Sequence, residues 1–169
     1  MTKPPPFHRR NLKGENNFIQ HVIPMIQDHF PGKWCSLNGA PADWIHGVDF
    51  FHIYGHQVQT ISARVWNTMS HRNFTVRHYR TGAPERPLEY TTRMTAFKAG
   101  RYMTDWTVEA FIHKSGIEVG AIPTRKLFWH LDRMGDLAPR FLVQNQDDHT
   151  IFRKVSWIDV HEDMVRWFT

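Results

Sequence analysis

The chain has 169 residues, which is enough for one domain with a sizeable core and too few for two. Hydrophobic residues make up 41% and charged residues 22%, which excludes a disordered chain, and the single cysteine, Cys35, excludes an intramolecular disulfide and a multi-cysteine zinc site. The formal net charge of +5 favours polyanionic partners.

The first twelve residues, MTKPPPFHRRNL, predict a flexible, basic, proline-rich arm. Its basic residues are not followed by an apolar segment, as they would be in a signal peptide, and no apolar run in the chain reaches the roughly 18–20 residues that span a bilayer. These features predict a cytoplasmic protein without a membrane partner. Arg9 and Arg10 in the arm are candidate phosphate contacts, and a solubilising tail is the alternative.

The first helix is predicted over residues 15–30, where apolar side chains recur at helical spacing. Asn16 or Asn17 is its expected cap, and Pro24 is expected to kink or shorten it. Residues 31–43 are rich in glycine, proline and asparagine, which predicts a loop.

Three strands are predicted after this loop, because β-branched and aromatic residues alternate there with polar ones. They cover 44–54, 57–66 and 73–80. Short turns join them, which predicts an antiparallel meander. Within the second strand, alternation places Ser62 and Arg64 on the opposite face from Ile61.

The second half of the chain predicts two more helices and two more strands. In chain order these are a helix at 89–99, a strand at 101–113, a helix at 122–135 and a strand at 150–160. Thr124 is the expected cap of the second of these helices, and Gly135 its stop. The prediction is therefore a single α/β domain over 13–169, with a mixed β-sheet flanked by helices.

The hairpin GVDFFHIYGHQVQTISARVW carries Asp49 in its first strand and the triplet SAR, from Ser62 to Arg64, in its second. With Glu15 at the start of the first helix, and with the order αβββαβ over about 13–113, this pattern resembles the PD-(D/E)XK nuclease superfamily and its restriction-endonuclease-like core. With FTVR at 74–77 and the Glu-led helix EYTTRM after it, the hairpin is also similar to uncharacterised bacteriophage and bacterial proteins. For a phage-encoded chain, the predicted location is the host cytoplasm. Residues after 113 are then an extension of the core.

The resemblance implies a nucleic-acid-binding protein with a Mg²⁺ site and phosphodiester hydrolysis. Asp49 and Glu15 are the implied metal ligands, since carboxylate oxygens suit Mg²⁺, and the metal would activate a water. Ser62 stands where the superfamily has a second carboxylate, and Arg64 where it has lysine. Arginine stays protonated, so it clamps phosphate but is no base. The alternative is an inactive nuclease-fold module that binds a host protein or joins a phage assembly.

Further arginines extend the predicted phosphate contacts. Arg77 and Arg80 lie in the strand at 73–80, and with Arg64 they would form an anion-binding strip.

Each candidate residue also suits an ordinary role in the fold. Asp49 suits a turn cap, Arg64 a surface ion pair and Arg77 a solvated face, while Glu15 suits the positive end of the helix dipole, as does Glu89 at a later helix start.

Overall fold

The computed structural model describes residues 13–37, 47–68, 70–80, 89–135, 143–144 and 150–169. The predicted arm at 1–12 lies outside these residues, as do residues 38–43 of the predicted loop and the first part of the predicted strand at 44–54. Within the described part of the chain, no helix has the length and apolar character needed to cross a membrane.

The first helix, α1, covers 13–26 and is irregular. Its middle is the π-helical segment Phe18–Val22, and it ends with the α-helical segment Ile23–Ile26. Pro24 has no N–H to donate, so regular α-helical bonding is interrupted around it and the helix stops soon after, as predicted. The cap prediction was wrong, because residues 13–17 are already helical, so both asparagines lie inside the helix, and Asn17 makes no capping bond.

The structure has nine strands in its described part. They are β1 Lys33–Ser36, β2 Phe50–Tyr54, β3 Gln57–Trp66, β4 Asn73–Arg80, β5 Trp106–His113, β6 Gly116–Pro123, β7 Val143–Gln144, β8 Thr150–Ser156 and β9 Val165–Phe168. Six of them form the main sheet, in the order β1-β2-β3-β5-β6-β9, and three form a second sheet, in the order β4-β8-β7. Only β3 and β5 are parallel neighbours among these pairs, so the fold is a mixed α/β fold.

The predicted meander was right about the β2–β3 hairpin and wrong about its third member. β4 does not pair with β3; it leaves the main sheet and pairs antiparallel with β8. The edge of β3 is occupied instead by β5, with Ile61 opposite Trp106. β1 lies in the segment predicted as a loop and completes an antiparallel set with β2 and β3.

Two further helices follow β4. Helix α2, Glu89–Lys98, matches its prediction and leads into β5, which makes the parallel crossover from β3. Helix α3, Thr124–Met134, also matches, and Gly135 ends it with φ +47°. Thr124 is not its cap: the Oγ1 atom of this buried residue instead bonds the hydroxyl groups of Thr104 and Thr107. The last predicted strand is shorter than expected and ends at Ser156.

The two faces of the main sheet bury different cores. Ile61 points to the face that α1 covers, among Phe18, Val22 and Phe50. On the other face, α2, α3 and β4 cover a second core, whose largest members are Phe74, Phe111, Phe128 and Trp157. Because side chains alternate along β3, Ser62 and Arg64 lie on this second side, as the sequence predicted.

Gly120 in β6 faces the fully buried Trp157, and a Cβ at residue 120 would lie 2.6 Å from Cζ2 of that ring. We expect Gly120→Ala to lower the free energy of unfolding by about 2 kcal/mol, because a close-packed core cannot give way around a large ring. Urea unfolding measures the change. Gly14→Ala is the matched control, since nothing lies within 4 Å of the added Cβ there. Equal midpoints for the two variants would contradict the expected overlap.

Candidate functional site

A cluster of charged and hydroxyl side chains lies between the main sheet, β4 and α2. We call it the arginine–glutamate cluster; its members are Asp49, Ser62, Arg64, Thr75, Glu89, Arg93 and Glu109. The gap that remains at its centre has a volume of about 10 Å³. That is space for one water molecule at most.

Arg64 is the central cation of the cluster. Its Nη1 donates to the carbonyl oxygen of Thr75 at 2.7 Å and to its Oγ1 at 2.8 Å, and its Nη2 donates to Oε2 of Glu89 at 2.9 Å. The guanidinium also lies 5.2 Å from the centre of the Phe152 ring. Burial opposes its charge, but Glu89, Glu109 and Asp49 outweigh that effect and raise the pKa of Arg64.

Glu89 holds two arginines at once. Its second oxygen, Oε1, lies 3.3 Å from Nη1 of Arg93, one helical turn further along α2. Burial alone would raise the pKa of Glu89, but the charges of Arg64, Arg93 and Arg77 lower it to about 2. The carboxylate is therefore ionised at every physiological pH, and it neutralises charge that would otherwise be buried alone.

Arg93 connects α2 to the start of the hairpin. Its Nη2 donates to the carbonyl oxygen of Gly47 at 3.0 Å and to Oγ of Ser62 at 3.1 Å. The residue is buried, with 9% of its surface exposed. A guanidinium thus lies among one carbonyl, one hydroxyl and one carboxylate oxygen.

Glu109 is the second carboxylate of the cluster and is only 1% exposed. It lies on β5 directly beside Arg64 of β3. The backbone N–H of Thr75 donates to it at 2.7 Å, and the Thr75 hydroxyl and the indole N–H of Trp66 donate as well. Burial raises the pKa of Glu109 and prevails over the opposing effects of Arg64 and these donors.

Asp49 lies where β2 begins, between β1 and β3. Its carboxylate Oδ2 accepts the backbone N–H of Ala63 at 2.6 Å, and its own backbone bonds Ile61 and Leu37 on the two neighbouring strands. Its charge contributes to the raised pKa of Arg64. The structure therefore brings together three of the predicted site residues, Asp49, Ser62 and Arg64.

The other predicted residues divide between near and distant positions. The backbone N–H of Arg77 lies 3.3 Å from Oε2 of Glu89, so this arginine borders the cluster. Glu15 accepts a hydrogen bond from Ser36 of β1, which pairs with Phe50 and therefore faces α1, away from the cluster. Arg80 is the last residue of β4, and Arg9 and Arg10 fall outside the described residues.

Sequence reasoning missed Arg93, Thr75 and Glu109 as site residues, and treated Glu89 only as a helix-start acid. One signal was available for Glu109: it stands inside the apolar strand WTVEAFIH, where a carboxylate requires a partner. For Arg93 the local signal was its spacing of four residues from Glu89, which favours an ion pair on a helix. Its other partners, Gly47 and Ser62, are 46 and 31 residues away and could not be predicted locally.

We expect Glu89→Gln to destabilise the protein in a pH-dependent way. The folded pKa, about 2, lies below the ordinary value of 4.5, so the carboxylate stabilises the fold above pH 4.5 and loses this effect as the pH falls toward 2. The difference from the wild type is expected to be roughly 3 kcal/mol at pH 7 and to shrink between pH 4.5 and 2. Urea unfolding across this range measures it.

Two further variants control this measurement. Glu162→Gln changes an 87% exposed carboxylate and is expected to leave the stability unchanged. Glu109→Gln tests a pH dependence of the opposite sign. The pKa of Glu109 is raised in the fold, so the contribution of this side chain to stability is fully present below its unfolded pKa and is lost as the pH rises. The same pH trend at residues 89 and 109 would contradict the assignment of their charges.

Within the described ranges, no group of three or more histidine, cysteine, aspartate or glutamate side chains is arranged to hold a metal ion. No family model matches the chain, and comparisons with curated proteins and with solved structures give no match either.

Proposed function

We propose that the chain is a nucleic-acid-binding protein built on a nuclease-like core, and that the arginine–glutamate cluster stabilises this core instead of hydrolysing phosphodiesters. The order of elements supports the core: α1 is followed by the antiparallel strands β1, β2 and β3, and α2 then crosses over to the parallel strand β5. This is the αβββαβ order of the superfamily that the sequence resembles, with β4 as an addition.

The positions of the site residues also support this core. Asp49 immediately precedes β2, and the SAR triplet lies on β3, the strand that follows. In the resembled superfamily these positions hold the metal-binding aspartate and the carboxylate–x–lysine pair. In this chain, Ser62 stands where the superfamily has the second carboxylate. Glu89 of α2 instead places a carboxylate beside Arg64.

One observation carries the structural role of the cluster: the guanidinium of Arg93 already contacts three oxygen atoms of the kinds that a divalent cation takes as ligands. Gly47, Ser62 and Glu89 supply a carbonyl, a hydroxyl and a carboxylate oxygen, which are the ligand types that Mg²⁺ takes. Arg64 adds a second positive charge beside them, and like charges repel strongly away from water. These two guanidinium groups support a structural role for the cluster over a resident Mg²⁺ ion.

Nucleic acid is the partner that the charge of the chain favours. Lysine and arginine exceed aspartate and glutamate, 21 to 16. Within the described residues, Arg64 and Arg93 form ion pairs with Glu89 inside the protein. Cations that contact a nucleic acid must therefore come from other surfaces of the molecule. Binding by such surface cations releases counterions from nucleic acid and is sensitive to salt.

We expect neither Mg²⁺ nor Mn²⁺ to raise the melting temperature of the wild type, because the oxygen ligands already bond arginine. We also expect supercoiled plasmid to remain intact with either metal. Asp49→Asn is the matched variant. Metal-dependent cleavage by the wild type that is lost in Asp49→Asn would overturn the structural role.

Metal-dependent hydrolysis is the second candidate, and one observation favours it: the charges of both Asp49 and Glu89 act on Arg64, so two carboxylates flank one cation. Arg93→Met separates the two functions, because it removes the guanidinium and leaves the carboxylates in place. A metal-dependent rise in melting temperature in this variant and in the wild type alike would favour the second candidate.

We expect the full chain to bind a labelled single-stranded DNA oligonucleotide with an affinity that falls about 20- to 50-fold between 50 and 200 mM salt, as three to four phosphate contacts would produce. Fluorescence anisotropy at several salt concentrations measures the slope. An acidic polypeptide such as poly-glutamate is the control. Tighter binding of that polypeptide than of the oligonucleotide would indicate a protein partner and contradict the proposed function.

A further inference from the structure

The outer face of α3 carries a line of cationic and aromatic side chains. Arg125, Trp129 and Arg133 are spaced four residues apart, so they lie on one side of the helix over a length of about 12 Å. The opposite side of the helix buries Leu127 and Leu131 in the core. The core thus fixes which side of α3 faces outward.

Trp129 is the large exposed hydrophobic residue of this line, with 42% of its surface accessible. The guanidinium of Arg133 lies 4.5 Å from the centre of its ring, which is cation–π geometry. Arg125 lies over the Phe97 ring at 5.6 Å and donates to the carbonyl oxygen of Arg101, which brings the backbone of that third arginine to the start of the line. These contacts restrain the line before any partner binds.

Among the described residues, no carboxylate neutralises the charge along the line. Lys98 and Lys126 nearby pair with Asp132 and Asp163. Within the described part of the chain, by contrast, Arg101, Arg125 and Arg133 have no carboxylate within salt-bridge distance. We call these three arginines and Trp129 the α3 stripe.

We infer that the α3 stripe binds single-stranded nucleic acid, with the arginines on the phosphates and one base stacked on Trp129; this rests on the proposed function. Uncompensated cations interleaved with an exposed aromatic ring match a strand that is both charged and open to stacking. A duplex offers the same phosphates, but its bases are already stacked on one another. The stripe is therefore expected to prefer single strands through Trp129 and to attract both forms through its arginines.

The test uses the full chain and two probes, a labelled oligothymidylate of 20 nucleotides and a duplex of the same length. Trp129→Ala is expected to weaken binding of the single strand about 10-fold, the loss that one stacked base accounts for, and to change duplex binding less than about twofold. Trp129→Phe keeps an aromatic ring and is expected to recover part of the single-strand affinity. This recovery is not expected if residue 129 acts only through the stability of α3.

The double variant Arg125→Gln with Arg133→Gln removes two phosphate contacts. It is expected to weaken the binding of both probes and to reduce the slope of log affinity against log salt by about two. Lys114→Gln, in the exposed β5–β6 turn, is the matched charge control, and Tyr54→Ala, which is 58% exposed at the β2–β3 turn, is the aromatic control. Both controls are expected to bind like the wild type.

The outcomes separate this inference from the proposed function. Binding by the wild type that is unchanged in the Trp129 and arginine variants would overturn the stripe alone. No binding of either probe by the wild type would overturn the proposed function, and the stripe with it. Tighter binding of poly-glutamate than of oligothymidylate, lost in the arginine variants, would assign the stripe to an acidic protein and also overturn the inference. Unchanged urea midpoints show that the variants are folded.

Discussion

The carboxylate of Glu89, shared by Arg64 and Arg93, is the interaction on which this side of the fold depends. It joins α2 to β3, and through Arg93 it reaches Gly47, at the start of the hairpin. Two guanidinium groups brought into the space between sheet and helix would be costly without it, because a buried charge that lacks a partner destabilises a protein strongly. The crossover from β3 to β5 is therefore held by both charge and apolar packing on the face toward α2, while the face toward α1 is held by apolar packing.

The parts of the fold that follow from local periodicity were predictable, whereas the pairing of distant segments was not. The β2–β3 hairpin, α2 and α3 are visible in the sequence because each has its own spacing of apolar residues and a turn or glycine at its end. β4 alternates just as clearly, but nothing in its residues shows that it pairs with β8, about 75 residues later. That pairing depends on which strand fills the edge of β3, which is decided by tertiary packing.

The candidate site shows the same division. Asp49, Ser62 and Arg64 belong to one hairpin, so alternation and the turn were enough to place them near one another. Glu109 joins them because the register of β3 and β5 places it beside Arg64, and Arg93 joins them because of the side that α2 turns toward the sheet. A single sequence reveals neither the register nor the orientation of the helix. Glu15 shows that position at a helix start does not reveal which face of a sheet a side chain will meet.

Gly47 links these observations to the way in which this sequence is free to vary. It has φ +62°, and a Cβ at this residue would overlap Nη2 of Arg93, the atom that bonds its carbonyl oxygen. Only glycine adopts this conformation readily and also leaves room for the guanidinium. The backbone conformation therefore favours glycine at residue 47, and any side chain there would also displace the guanidinium of Arg93, 46 residues further along the chain. A substitution at the start of the hairpin would thus disturb α2 through the Arg93 side chain, although the two segments are distant in the sequence.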